Sequence, residues 1–283
     1  KTWVRGAAHA ANVSGLIPAP QGEMVGRNNL VAGSAGGTWS TPPAPGSTLD
    51  VNAYLGATRF YTAGYRGANA VAANVEAGHI WSGHETMGNL TQTVHYTPVS
   101  GQLGQVDRHA TWVGMHIGGR NGGATQGNWQ TGMADQVQLW SGAIATSWNP
   151  PAYANSFSIT TNSFLYPYVT FFQTGISGRT ADVVNSSWGA YDLDDPTLQS
   201  GAHYIAAALD ALANANPRTT FVAAAGNSGP GANTVGSPAA GHNVIAVAAL
   251  TSDTSSPPYN SVASFSSRGP SPYQDPVNGT VAG

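Results

Sequence analysis

Three short stretches place chemically useful side chains where a run of small apolar residues gives way. Val75-Glu76-Ala77-Gly78 carries a carboxylate out of an apolar run through a glycine turn. Asp107-Arg108-His109-Ala110-Thr111-Trp112-Val113-Gly114 sets an imidazole at the head of a segment of mostly small residues. Ala223-Ala224-Ala225-Gly226-Asn227-Ser228-Gly229 breaks a small apolar run into a tight turn that presents an amide. An imidazole that takes and returns a proton, a carboxylate that orients it and an amide that donates to a developing oxyanion are three of the four parts of nucleophilic acyl transfer.

Such side chains can cooperate only if the elements carrying them converge. Ala70–Val75 has the composition of a strand buried on both faces and delivers Glu76 at its end. Val137–Trp140 followed by Ala143–Ala145, then Ala181–Asn185, Thr220–Ala225 and Asn243–Leu250, read as four more strands. A helix is expected from near His109 towards Gly118-Gly119. The clearest helix lies between the third and fourth strands, with Asp195 as cap, Pro196 at its first position, Ile205, Leu209 and Leu212 on one face, and Pro217 as its stop. Strands alternating with helices predict an α/β fold: a doubly wound, mostly parallel sheet with helices on both faces, its working residues at the carboxyl ends of the strands. Residues 1–50, rich in Gly, Pro, Ser and Asn and without a period of 2 or 3.6, read as an irregular N-terminal extension; residues 51–283 read as a candidate catalytic domain, expected to lack its C-terminal part. The stretch Gly118–Trp129 reads as a loop.

With 283 residues, 41% of them apolar, the chain can bury one large core. Only 8% of residues are charged and the net charge is −3, so there is no basic stripe to neutralise phosphates and no expectation of a nucleic-acid partner. Apolar runs such as Tyr204–Leu212 fall short of the roughly 20 residues a membrane span needs. The absence of cysteine excludes disulfides and thiolate metal sites. A start at Lys1 with no leader, together with low charge and many Gly, Trp and Tyr, leads to the expectation of a secreted, extracellular protein.

By wording and order, these segments resemble the subtilisin family. His109–Gly118 is similar to that family's His-Gly-Thr-His-Val-Ala-Gly motif, with Ala110 for Gly and Trp112 for the second His, and Ala224–Gly229 is similar to its Ala-Ala-Gly-Asn motif. Val183–Gly189 resembles the segment whose backbone pairs with an extended substrate, and Ala263–Pro270 the Phe-Ser-Ser-Arg-Gly stretch. The resemblance implies a serine endopeptidase in which His109 is general base and then acid, Asn227 donates to the oxyanion, and Ser187, Trp188, Gly189, Ala225 and Gly226 line the substrate cleft. Glu76 stands where the family motif has Asp, so backbone or histidine must be set back by a methylene to keep the hydrogen bond. Asp107 is a weaker substitute, able to touch the site only from the side.

The family's Gly-Thr-Ser motif, which carries the nucleophile, does not occur; Gly279-Thr280-Val281 has only its first two letters. The expectation is therefore a serine supplied by a segment or companion C-terminal chain after residue 283, with a catalytically dead peptide-binding module as the alternative. A sedolisin-like reading, hinted at by Glu76, is opposed by His109 and Asn227; carbohydrate binding rests on Trp content alone. No cofactor is expected, although Asp192, Asp194 and Asp195 could hold a structural Ca2+. His79, His84, His95, His116, His203 and His242 are read as structural, and a metal site at His79, His84 and Glu85 lacks zincin spacing.

Overall fold

The computed structural model describes residues 2–5, 52, 55–97, 105–120, 131–148, 156–190, 201, 203–251, 260–270, 273–275 and 279–281. Strand β1 (Thr2–Arg5) is followed by helix α1 (Ala57–Thr62), strands β2 (Val71–Glu76) and β3 (Leu90–His95), helix α2 (Arg108–Gly118), and strands β4 (Gln138–Ala143), β5 (Ser147–Trp148) and β6 (Ser156–Ser158). Helix α3 (Thr161–Val169) passes into a π-helical turn over Thr170–Thr174. Then come strands β7 (Val183–Ser186) and β8 (Trp188–Ala190), helix α4 (Tyr204–Ala215), strands β9 (Thr220–Ala224) and β10 (Ile245–Val247), and the antiparallel pair β11 (Tyr273–Asp275) and β12 (Gly279–Val281).

Six of these strands form a sheet in the order β10-β9-β7-β2-β4-β3, parallel at every pairing. Its centre is β2, all six residues of which are buried. Because side chains alternate along a strand, β2 feeds two different cores. Val71, Ala73 and Val75 join an aromatic-rich layer containing Phe164, Tyr168, Phe171, Ile205, Leu209 and Phe221, whereas Ala72 joins a smaller layer with Ala110, Trp112, Met115 and Leu139 from α2 and β4. Helices thus cover both faces, and the parity that sends Ala72 towards α2 sends Asn74 and Glu76 the same way. Gly114 permits the close approach of α2, since a Cβ there would lie 2.7 Å from Ile80 Cδ1.

Several expectations need revision. The described helix before β9 starts at Tyr204 and is capped by His203, whose side chain accepts from the Ile205 N–H; Asp195 and Pro196 lie outside the described residues, as do Asp192, Asp194 and positions 121–129 of the predicted loop. The single strand expected over Val137–Ala145 is present but narrower, Gln138–Ala143, the small Ser141 and Gly142 continuing the ladder with Asn74 and Val75. Within the stretch expected to be irregular, Thr2–Arg5 is a strand, held in a second, antiparallel sheet of order β5-β6-β1-β8. Helix α3 begins with a capping box, Thr160 and Ser163 bonding each other's backbone N–H. It contains Pro167, which removes an internal donor, and it continues in the wider π turn.

Candidate active site

Glu76 and His109 meet at the carboxyl edge of the sheet. Their side chains are 0% and 1% exposed, and His109 Nδ1 lies 2.9 Å from Glu76 Oε2. The other carboxylate oxygen, Oε1, accepts the backbone N–H of Ser187 at 2.9 Å. Both oxygens are therefore engaged, and the longer glutamate side chain spans from β2 to two neighbouring elements at once. With Nδ1 held by the carboxylate, the protonatable lone pair is directed to Nε2. That atom is buried and has no hydrogen-bond partner among the described residues.

The placement of His109 follows from local chemistry. Asp107 is the N-cap of α2, its carboxylate accepting from the N–H groups of His109 at 3.1 Å and Ala110 at 3.4 Å. These bonds fix the helix start, while Glu76 holds the ring. Asn74, one turn of the pleat below Glu76, donates to the Ala110 carbonyl, and Asn185 of β7 donates in turn to Asn74 Oδ1 and to Ser187 Oγ. This amide ladder ties α2, β2 and β7 in register at the site. Glu76, Asp107 and His109 also form the one group among the described residues whose atoms, all within 4.8 Å of one another, could hold a metal ion; each is already bonded as described.

Asn227 follows β9, two strands along the same edge from β2, about 10 Å away at ordinary strand spacing. The turn here does not depend on an asparagine, because the left-handed position is Gly226, with φ +114°. Asn227 Oδ1 is buried without a partner among the described residues. The segment resembling Phe-Ser-Ser-Arg-Gly braces this loop: Ser267 N–H donates to the Gly226 carbonyl, Ser228 N–H to Ser267 Oγ, and Gly229 N–H to the Phe265 carbonyl. At Gly229 a Cβ would run into the Ser266 carbonyl oxygen. Gly229→Ala is expected to force the two segments apart and to lower stability by about 1–3 kcal/mol, read as a fall in the urea midpoint; an unchanged midpoint would show that the brace is slack.

The remaining cleft residues behave differently from one another. Trp188 is fully buried, its ring packed edge-on to Phe157 and Phe164 and its Nε1–H donating to Tyr168 OH. Its side chain therefore belongs to the core, which leaves only its backbone free of that core. Ala225 is likewise buried, 4% exposed, with its N–H bonded to Val247 O. Tyr168, which nothing in the sequence marked, supports this turn from below. Its hydroxyl lies 2.6 Å from Ser186 Oγ, and burial pushes its pKa well up, so it stays protonated.

Among the histidines read as structural, His79 is buried, with Nδ1 3.2 Å from Ser141 Oγ and Nε2 3.0 Å from His95 Nδ1. His84 Nδ1 is taken by Thr86. Burial, and secondly the neighbouring His95, holds the His79 pKa down from 6.5 to about 4. Through that window the unfolded chain binds a proton that the folded one refuses, so stability is intact above pH 6.5 and falls as pH drops towards 4. The loss from this ring reaches about 3 kcal/mol at most. Urea titrations across the window should show a steeper pH dependence for the natural protein than for His79→Gln; equal slopes would place the ring's burial in error.

The family model described as "Subtilase family" matches residues 84–282. Among curated proteins, no relative matches the chain. Of the solved structures, the S41 psychrophilic protease is 22% identical with a TM-score of 0.51, over 71% of this chain and 60% of its own. The prenylagaramide maturation protease PagA is 20% identical with a TM-score of 0.52, over 77% of this chain and 65% of its own. The psychrophilic subtilisin-like protease Apa1 from the Antarctic psychrotroph Pseudoalteromonas sp. AS-11 is 18% identical with a TM-score of 0.51, over 77% of this chain and 43% of its own. These likenesses concern the parallel sheet and its helices. The chain spans between 43% and 65% of the lengths of these three proteins.

Proposed function

The chain belongs to the subtilase family, and from that premise we propose that it is the larger part of a serine endopeptidase whose nucleophile is contributed by residues following Gly283. The observation that carries the proposal is the buried pair: Glu76 holds Nδ1 of His109 and leaves Nε2 without a partner among the described residues. A serine hydroxyl brought to Nε2 would lose its proton to the imidazole as its oxygen attacks the peptide carbonyl. The Glu76 carboxylate stabilises the imidazolium so formed, and Asn227 donates to the oxyanion. His109 then returns the proton to the leaving amine, and a water repeats the sequence to release the acyl group.

Two further observations support a continuation of the fold. The sequence contains no Gly-Thr-Ser, and the apolar side chains Ile245, Val247, Leu250 and Val262 at the β10 side of the sheet are 39–56% exposed, a surface suited to cover by another segment. The substrate is a polypeptide bound through the Ser187–Gly189 backbone, and low charge with abundant Gly and Trp favours action outside the cell. No described helix is long and apolar enough to cross a membrane.

A fluorophosphonate probe applied to the full-length protein tests this. Labelling of a serine after residue 283, abolished by His109→Ala, is the expected result. Absence of labelling in a folded full-length protein would favour a peptide-binding module that does not cut.

A further inference from the structure

We propose that His79 and His95 form a positioning pair, which fixes the base His109 against its carboxylate through the loop between them. The inference rests on His109 being that base. Glu76 ends β2 and His109 stands at the head of α2, so their 2.9 Å contact depends on how the loop leaving β2 is spaced from the helix head. Main-chain bonds at His79 set that spacing. Its N–H donates to the Gln105 carbonyl and its carbonyl accepts the Asp107 N–H, both at 2.7 Å. Two residues on, the Trp81 N–H donates to Thr111 Oγ1, whose hydroxyl donates to the Asp107 carbonyl. The loop thus clasps the helix head at Gln105, Asp107 and Thr111.

The clasp is itself hung on the sheet by side chains. His79 Nδ1 lies 3.2 Å from Ser141 Oγ, which also accepts the Ile80 N–H at 3.0 Å, and His79 Nε2 lies 3.0 Å from His95 Nδ1. Ser141 belongs to β4, while His95 ends β3 opposite Ala143, which in turn stands opposite Glu76. The loop is therefore anchored at the same level of the sheet as the carboxylate, and slack in the anchor moves the helix head relative to Glu76. Burial keeps His79 neutral at ordinary pH. Two neutral imidazoles bond only when one donates and the other accepts, which locks both tautomers together. The margin is small, because glutamate reaches one methylene further than aspartate and the helix head must stand back by that length.

Peptide-cleavage kinetics and the proton resonance between His109 Nδ1 and Glu76 are to be measured for the full-length protein and for His95→Ala, His95→Asn and His79→Asn. An asparagine amide reaches the place of a histidine Nδ1. His95→Asn can therefore still bond His79, whereas His79→Asn keeps a group beside Ser141 but falls short of His95. His95→Ala and His79→Asn are expected to lower kcat about tenfold with KM unchanged, since a displaced base slows the chemistry without weakening binding, and to shift the resonance. His95→Asn should restore both. An unchanged kcat or an unchanged resonance in His95→Ala overturns the proposal. So does equal damage by alanine and asparagine at position 95, or unfolding of both His95→Ala and His79→Asn, either of which makes the pair a packing feature. Fluorophosphonate labelling of the same samples reads the hydrolase assignment separately. If no sample labels, the resonance alone decides: a shift in His95→Ala that His95→Asn reverses upholds the pair, and any other pattern overturns it.

Discussion

Glu76→Gln in the full-length protein is expected to lower kcat by about four orders of magnitude with little change in KM. The two carboxylate oxygens accept from different donors, Nδ1–H of His109 and the Ser187 backbone N–H. An amide has one acceptor and one donor end. If its oxygen keeps the Ser187 N–H, its NH2 faces Nδ1 and drives the ring proton to Nε2, where it blocks the base. If its oxygen turns to His109 instead, a buried N–H is left facing a donor. Either way the last residue of β2 no longer holds a competent imidazole in a satisfied site. Glu76→Asp separates charge from reach: it restores the family's usual residue but retracts the carboxylate by a methylene, about 1.5 Å, from partners positioned for glutamate, and should cost about a hundredfold. Steady-state kinetics on an extended peptide, with urea midpoints to show that both variants fold, decide the matter. Activity of Glu76→Gln near the natural level would remove Glu76 from the machinery altogether.

Asn227→Ala is the second large effect, about 100- to 1,000-fold in kcat, because a preorganised donor contributes to the transition state far more than to the bound substrate. KM should stay within a few-fold. The result is diagnostic because the turn itself has no need of this side chain: the unusual backbone angle falls on Gly226, and the brace from Phe265 and Ser267 uses main-chain groups of Gly226, Ser228 and Gly229. Loss of stability without loss of kcat would therefore assign Asn227 to the loop and not to the oxyanion.

Much of this arrangement was readable before any coordinates. The small apolar run before Glu76 announced a strand buried on both faces, and a histidine at the head of a small-residue helical segment near His109 announced the candidate base; that Asp107 caps this helix was not read. The pairing of Glu76 with His109 was readable as an order of motifs. What the listing of residues could not convey was that the second carboxylate oxygen would be met by Ser187, since that depends on the register between β2 and β7, set by Asn74 opposite Asn185. Trp188 was legible as part of the right segment but not as a core residue, because one step along a strand reverses the face. Helix α3 went unseen since Pro167 and its neighbouring aromatics obscure the helical period, although Thr160 and Ser163 carried a capping signal. The strand Thr2–Arg5 is too short for a period to show, and it is ordered only by partners about 150 to 190 positions away.

The apolar flank at β10 bears on how this polypeptide behaves in the test tube. Among the described residues its outer rim has no neighbour, and Ile245 and Val247 are 56% and 46% exposed. A parallel strand left open with branched aliphatic side chains is a template for stacking of identical molecules. If a segment follows Gly283 as proposed, the polypeptide prepared without it should clump as its concentration rises, and co-production with that segment should keep it dispersed; light scattering across a dilution series distinguishes the two preparations.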